Sequence, residues 1–235
     1  MMNDTHFERY RWHAAHDERA LQQAAREIVL SCAQQAIEQR GQFHLVLAGG
    51  NTPRGLYHLL CTTKTDWTAW HIWFGDERCL PPGDPARNAQ MAAEVWLDAV
   101  PIPGAQTHSI AGELGAQLAA QRYAEALQGI DDFDLVLLGL GEDGHTASLF
   151  PGHEWGTAAD AADALAVLNA PKPPTQRVSL SAMCLSRTRK AFFLVSGESK
   201  RLAVANWRKG ESIPARAIMP RSGVDILAEA ALLAA

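Results

Sequence analysis

The chain has 235 residues, 47% of them hydrophobic, enough for a full core and too many for a disordered polymer. Its formal net charge of −5 excludes a surface built to attract nucleic acid or anionic membrane, although a local basic pocket stays open. Cys32, Cys61, Cys79 and Cys184 lie far apart and show no Cys-x-x-Cys spacing, so they read as reduced thiols in the cytoplasm rather than a disulfide framework or a zinc site.

Residues 1–16 read as a polar, exposed start with no signal-peptide core. They carry His6, His13 and His16, and His13-x-x-His16 has no further ligand cluster nearby to make it a metal site. From Asp17, apolar residues at Leu21, Ala24, Ile28, Cys32 and Ala36 predict a helix that Gly41 closes. Phe43 to Ala48 reads as a strand, followed by Gly49-Gly50-Asn51-Thr52-Pro53 and a short helix through Leu56, Leu59 and Leu60. Trp70 to Phe74 is a second strand, ending in Gly75-Asp76-Glu77-Arg78, then a proline-rich loop and a helix from about Asn88 to Ala99. Leu114 to Leu127 is a helix, and the run from Leu135 to Leu138 is a buried strand. Trp155 to Asp163 is an irregular excursion or short helix. Further strands are expected at Leu165–Asn169, Val178–Leu180 and Ala191–Ser196, with the prolines of Ala170–Pro174 forcing extended chain. A turn or helix near Met183–Arg187, a helix from Ser199 to about Arg208, an apolar stretch Val224–Leu227 and an alanine-rich helix complete the chain. No apolar run approaches the roughly 20 residues that span a bilayer. Strands alternating with helices predict an α/β fold with three layers, a mostly parallel sheet between helices on both faces. With no repeat and no linker, one domain over 1–235 is the economical reading.

In such sheets ligands sit beyond the carboxyl ends of the strands, and three candidate segments fall there. After the strand at Leu135 come Gly139, Gly141, Glu142, Asp143, His145, Thr146 and Ser148. Asp143 and His145, two residues apart, make a candidate general base with a partner to orient it. The Gly49–Pro53 segment opens a helix. It is either a cradle for phosphate, using helix amides and the Thr52 hydroxyl, or an ordinary cap through Asn51 or Thr52. It is neither a dinucleotide fingerprint nor a Walker A loop. At Asp76-Glu77-Arg78, Arg78 is either half of a surface ion pair or a planar fork facing an anionic substrate, with Asp76 against sugar hydroxyls. Arg177 and Lys200 are two further cations, and on the residues alone a solvated position suffices for Lys200.

Taken together, the segments resemble the glucosamine-6-phosphate isomerase/6-phosphogluconolactonase family, a modified Rossmann-like fold. The matching blocks are Ala48–Pro53, Trp73–Arg78 with Asn88 downstream, Leu138–Gly152, Pro171–Arg177 and Ser196–Lys200. They run in family order, and the third is the most specific. Arg78 stands where deaminases have tyrosine, and Thr146-Ala-Ser-Leu-Phe-Pro151 replaces their Ile-Gly-Phe-Asn-Glu-Pro, so the resemblance favours the lactonase branch. Arg87 replaces a usual serine, and the tail shows Asp225-Ile-Leu-Ala228 in place of Trp-x-x-Asp.

The resemblance implies hydrolysis of 6-phospho-D-glucono-1,5-lactone in the oxidative pentose phosphate pathway. A lactone is an activated ester, so no covalent nucleophile, metal or cofactor is required. His145 is the expected base and Asp143 its orienting carboxylate. Gly49, Gly50, Asn51, Thr52, Arg177 and Lys200 are expected at the phosphate, and Asp76 and Arg78 at the substrate. The expected partner is the small sugar-phosphate lactone alone, with the oligomeric state left open. The alternatives are a deaminase or isomerase of the same superfamily, a non-catalytic sugar-phosphate sensor and, more distantly, an NAD(P) enzyme.

Overall fold

The computed structural model describes residues 9–234, and His6 lies outside them. The chain runs β1 (Tyr10–Ala15), α1 (Glu18–Arg40), β2 (Phe43–Leu47), α2 (Asn51–Leu60), β3 (Trp70–Phe74), β4 (Asp76–Arg78), α3 (Asn88–Val95), β5 (Thr107–His108) and α4 (Ala116–Ala126). It continues through β6 (Leu135–Gly139), β7 (Ala164–Val167), β8 (Arg177–Leu180), α5 (Ala182–Ser186), β9 (Ala191–Val195), α6 (Arg201–Lys209), β10 (Val224–Glu229) and α7 (Ala230–Leu233).

Seven strands form one sheet in the order β1-β10-β9-β6-β2-β3-β5, and every pair in it is parallel. From β2 the chain moves outward through β3 to β5, then returns to the other side of β2 with β6 and continues to β9 and β10. The order therefore reverses between β2 and β6, the point where an open α/β sheet leaves a crevice for a ligand. The strands expected near Leu165 and Val178 do not join this sheet. They form a separate antiparallel three-stranded sheet, β4-β8-β7, in which β8 pairs with both β4 and β7. The linking turn is Gly75, whose amide bonds to Leu47 O at 2.9 Å while its carbonyl accepts from Leu180 N at 2.8 Å.

Helix α1 follows its sequence closely. Asp17 caps it, accepting from Ala20 N at 2.8 Å, and Gly41 ends it in the left-handed region at φ 76°. Leu21, Ala25, Val29, Ala33 and Ala36 form its buried stripe. Trp70 and Trp73 lie three residues apart on β3, so they face opposite sides of the sheet. Trp70 packs with Phe43, Trp67 and Trp96, and Trp96 stacks near Tyr57 of α2. Trp73 packs with Tyr123 of α4, Phe133 and His108. Helices thus cover both faces, and losing either tryptophan side chain removes about 3–5 kcal/mol.

Two elements depart from the sequence reading. The supposed polar start contains β1, an edge strand, and His13 Nε2 meets Asp225 Oδ1 at 2.7 Å while His16 bonds to Asp17. The two histidines therefore serve different carboxylates. Strand β5 is only two residues long, too short for an alternation to register.

The Trp73 face also holds a stack of three histidines. His44 and His71 stack at 4.6 Å, His71 Nδ1 lies 3.5 Å from His108 Nε2, and Trp73 Nε1 donates to His44 Nδ1 at 3.1 Å. Burial, with His71 and His108 adding to it against the pull of Asp134, lowers His44 from 6.5 to about 4. Between those values the unfolded chain binds the proton that the folded ring refuses, so this contribution is complete above pH 6.5 and is lost as pH falls toward 4. Solvent screening reduces an upper bound of about 3 kcal/mol to roughly 2 kcal/mol. We expect the thermal midpoint to fall more steeply on acidification in the wild-type chain than in His44→Asn, and equal slopes would contradict this.

Candidate active site

A cavity of about 410 Å³ opens beyond the ends of β2, β6 and β9, and residues from all the candidate segments line it. Among them are Gly49, Gly50, Asn51, Thr52, Asp76, Arg78, His145, Arg177 and Lys200. Asp143 stands behind His145 rather than on the wall.

The loop after β6 folds back on itself through Gly144 N to Gly141 O at 3.0 Å and Gly141 N to His145 O at 2.7 Å. This turn brings Asp143 Oδ1 to 2.5 Å from His145 Nδ1 and 3.1 Å from the His145 amide. Gly141 has to be glycine, since a Cβ there would lie 2.0 Å from Nδ1 of the ring. Partial burial opposes ionisation of Asp143, but the hydrogen bonds and charge of His145 outweigh it and hold the carboxyl below its usual range. An ionised partner on Nδ1 fixes the tautomer, leaving Nε2 as the basic atom. The imidazole packs on Phe150 with ring centroids 4.8 Å apart, and Arg177 lies over the same ring at 5.4 Å.

Strand β4 divides its three residues among different tasks. Asp76 Oδ1 accepts from Asn88 Nδ2 at 2.9 Å and Oδ2 from Ser148 Oγ at 2.5 Å. Its carboxylate therefore ties α3 to the histidine loop while Asp76 also lines the cavity. Glu77 is fully buried and accepts from the amides of Arg78, Asn88 and Ala89 at 2.7–2.9 Å. It is the N-terminal cap of α3, supplied from another strand. Burial raises its pKa, opposed by those amides.

Arg78 does not pair with Glu77 through its side chain. It donates to Ala86 O, and its Nε is buried with no hydrogen-bond partner among the described residues. In the β4–β8 ladder Arg78 stands directly opposite Arg177, and like charges at such positions repel. Burial pushes the Arg177 guanidinium below its ordinary value. Asp76 pulls it back, and the Arg78 charge adds to the depression. Arg177 is only 7% exposed and donates to Pro174 O at 3.1 Å and Lys172 O at 2.9 Å, so it also holds the proline loop in place. Two opposed guanidinium groups on a cavity wall, neither in an ion pair among the described residues, suit an incoming anion.

Across the cavity, α2 begins at Gly50, at φ 105° and with no side-chain cap. Neither Asn51 nor Thr52 is the cap, and Gly50, Asn51, Thr52 and Pro53 line the crevice at the start of the helix. Gly49 lets this loop approach Asn88, because a Cβ there would fall 2.1 Å from Asn88 Oδ1. Lys200 comes in on a 3-10 turn, Glu198–Lys200, just before α6.

Several lining residues have no role assigned from the sequence. Ser196, Ser199 and Lys172, which pairs with Glu142 at 3.7 Å, lie within the blocks that carry the resemblance and line the cavity as well. Ala147 lines the cavity at φ 47°, a left-handed conformation that costs an alanine about 1 kcal/mol and leaves no trace in its identity.

An α/β enzyme of a small anionic compound is the class that this crevice defines. The profile described as glucosamine-6-phosphate isomerases/6-phosphogluconolactonase matches residues 16–227, and the chain belongs to that family. A 6-phosphogluconolactonase of Streptomyces coelicolor is 34% identical over 207 residues, 80% of this chain and 79% of that protein. Among solved structures, the 6-phosphogluconolactonase of Thermotoga maritima superposes with a TM-score of 0.86 at 24% identity, covering 94% of this chain and 99% of that one. A monomeric glucosamine-6-phosphate deaminase superposes with a TM-score of 0.80 at 21% identity over 95% and 98% of the two chains. The fold alone therefore does not separate the two branches of the family.

Proposed function

We propose that this chain hydrolyses 6-phospho-D-glucono-1,5-lactone to 6-phospho-D-gluconate, the second step of the oxidative pentose phosphate pathway, with His145 as the base that activates water. The observation that carries this reading is the Asp143–His145 pair set into a crevice whose other walls bear Arg78, Arg177 and Lys200. The lactonase relative supports the branch, as do Arg78 and the run Thr146–Pro151.

Nε2 of His145 takes a proton from water as the oxygen attacks C1 of the lactone. The imidazolium that forms is stabilised by the ionised Asp143. It then returns the proton to the ring oxygen as the C1–O bond breaks, giving the open acid. Negative charge developing on the carbonyl oxygen is met by a cation or by backbone amides of the wall. The phosphate is held by Lys200, Arg177 and the amide-lined start of α2 at Gly49, Gly50, Asn51 and Thr52. Asp76 holds the loops in register and faces the sugar hydroxyls, and Arg78 contacts the substrate.

A single domain over 1–235 belongs to the same reading. So does a cytoplasmic setting, supported by four free cysteines. Among the described residues no helix is long and apolar enough to cross a membrane.

The test is timed hydrolysis of the phosphorylated and unphosphorylated lactones side by side, corrected for spontaneous opening. Lys200→Ala should raise KM for the phosphorylated lactone tenfold or more, the worth of one charged hydrogen bond, and raise it far less for the other. Arg177→Ala reads less cleanly, because it also releases the proline loop. Equal damage to both substrates by Lys200→Ala would assign the lysine a structural role.

A further inference from the structure

Glu229, the last residue of β10, belongs to none of the segments that carry the family resemblance. Its Oε1 accepts from the Ser196 hydroxyl and, at 3.2 Å, from the Gly197 amide. Those two residues are the root of the turn that follows β9. Gly197 enters it at φ 95°, and Lys200 N closes it onto Gly197 O at 3.0 Å. Ser196, Ser199 and Lys200 all line the cavity. A 3-10 turn this short is weakly held by its own bonds, whereas hydrogen bonds to a carboxylate are roughly twice as strong as neutral ones. The other tail acid, Asp225, is taken by Arg11 and His13 at the sheet edge. Glu229 instead forms no ion pair among the described residues, and its bonds go to the two donors that anchor the turn.

We propose that Glu229 is a positioning residue for the phosphate end of the substrate. It fixes the root of the Ser196–Lys200 turn and so sets where the Lys200 ammonium meets the phosphate. This rests on the reading that Lys200 binds the phosphate, and Lys200→Ala is therefore measured alongside.

Glu229→Ala should raise KM for the phosphorylated lactone about tenfold while kcat falls less than about threefold, since a loosened lysine loses a charged contact without touching the histidine. Glu229→Gln keeps an oxygen that accepts from both donors and should restore KM to within about threefold of wild type. Ser196→Ala removes one of the two donors without altering β10 and should raise KM in the same direction, which keeps the test informative if Glu229→Ala folds poorly. Unchanged KM in Glu229→Ala beside an impaired Lys200→Ala would overturn this proposal alone. So would an equal loss of kcat on both lactones. A Lys200→Ala variant that binds the phosphorylated lactone normally would remove the phosphate reading, and this proposal with it.

Discussion

Replacing His145 with glutamine should lower kcat by roughly 10²–10⁴, the usual worth of a positioned general base, and leave KM close to its wild-type value. Glutamine retains a polar group that can meet Asp143 but cannot take a proton from water. The ring meets Asp143 and Phe150 and is partly exposed, so the substitution opens no large core void. Steady-state kinetics with correction for spontaneous lactone opening decide the matter, and near-normal kcat in His145→Gln would end this mechanism. Asp143→Asn should fall in the same direction, because an amide neither stabilises the imidazolium nor enforces the tautomer that presents Nε2.

Arg78 gives the second large effect. Arg78→Lys should lower kcat/KM by roughly tenfold to a hundredfold, since a point charge replaces a fork of donors, and Arg78→Tyr should remove most of the activity without creating deaminase activity. The simplest structural explanation for this arginine, a pair with Glu77, does not hold. The Glu77 oxygens are taken by three backbone amides and by Arg87, at 3.5 Å. The melting temperature should therefore barely move in either variant. Loss of thermal stability with intact kinetics would assign Arg78 to the proline loop, through its bond to Ala86 O, rather than to the substrate.

Where local rules govern, the sequence is a faithful guide. Helix α1 carries its own cap, its own stripe and its own terminating glycine, and β3 is a short run of bulky residues, three of its five being Trp70, Trp73 and Phe74. The histidine loop was legible because glycines, acids and a histidine directly after a buried strand serve little structural purpose. Long-range pairing was harder to see. Arg11, Trp12 and His13 look like a polar start until Asp225 and Trp207 are brought beside them. Strands β7 and β8 carry enough apolar residues for the main sheet, and only their antiparallel pairing with each other and of β8 with β4 sets them apart. Asp76 and Glu77 illustrate the same limit within the site. Two adjacent acids carry no mark that one will join two loops and the other will cap a helix that begins 11 residues later. Asn88 was visible as a family position, but its role depends on the missing Cβ of Gly49.

The pairing of β1 with β10 joins residues 214 positions apart, which bears on how the chain reaches its folded state. During synthesis β1 emerges long before β10, its neighbour in the sheet among the described residues, exists. It must wait for nearly the whole polypeptide to follow. Contacts this distant in sequence carry a large closure entropy and slow the search. The edge of the sheet, with the Arg11–Asp225 fork and the Trp12–Trp207 contact, is thus among the last parts to assemble. Glu229 ends the same late strand, so on the positioning role proposed for it the Ser196–Lys200 turn gains its anchor only when the C-terminal segment arrives.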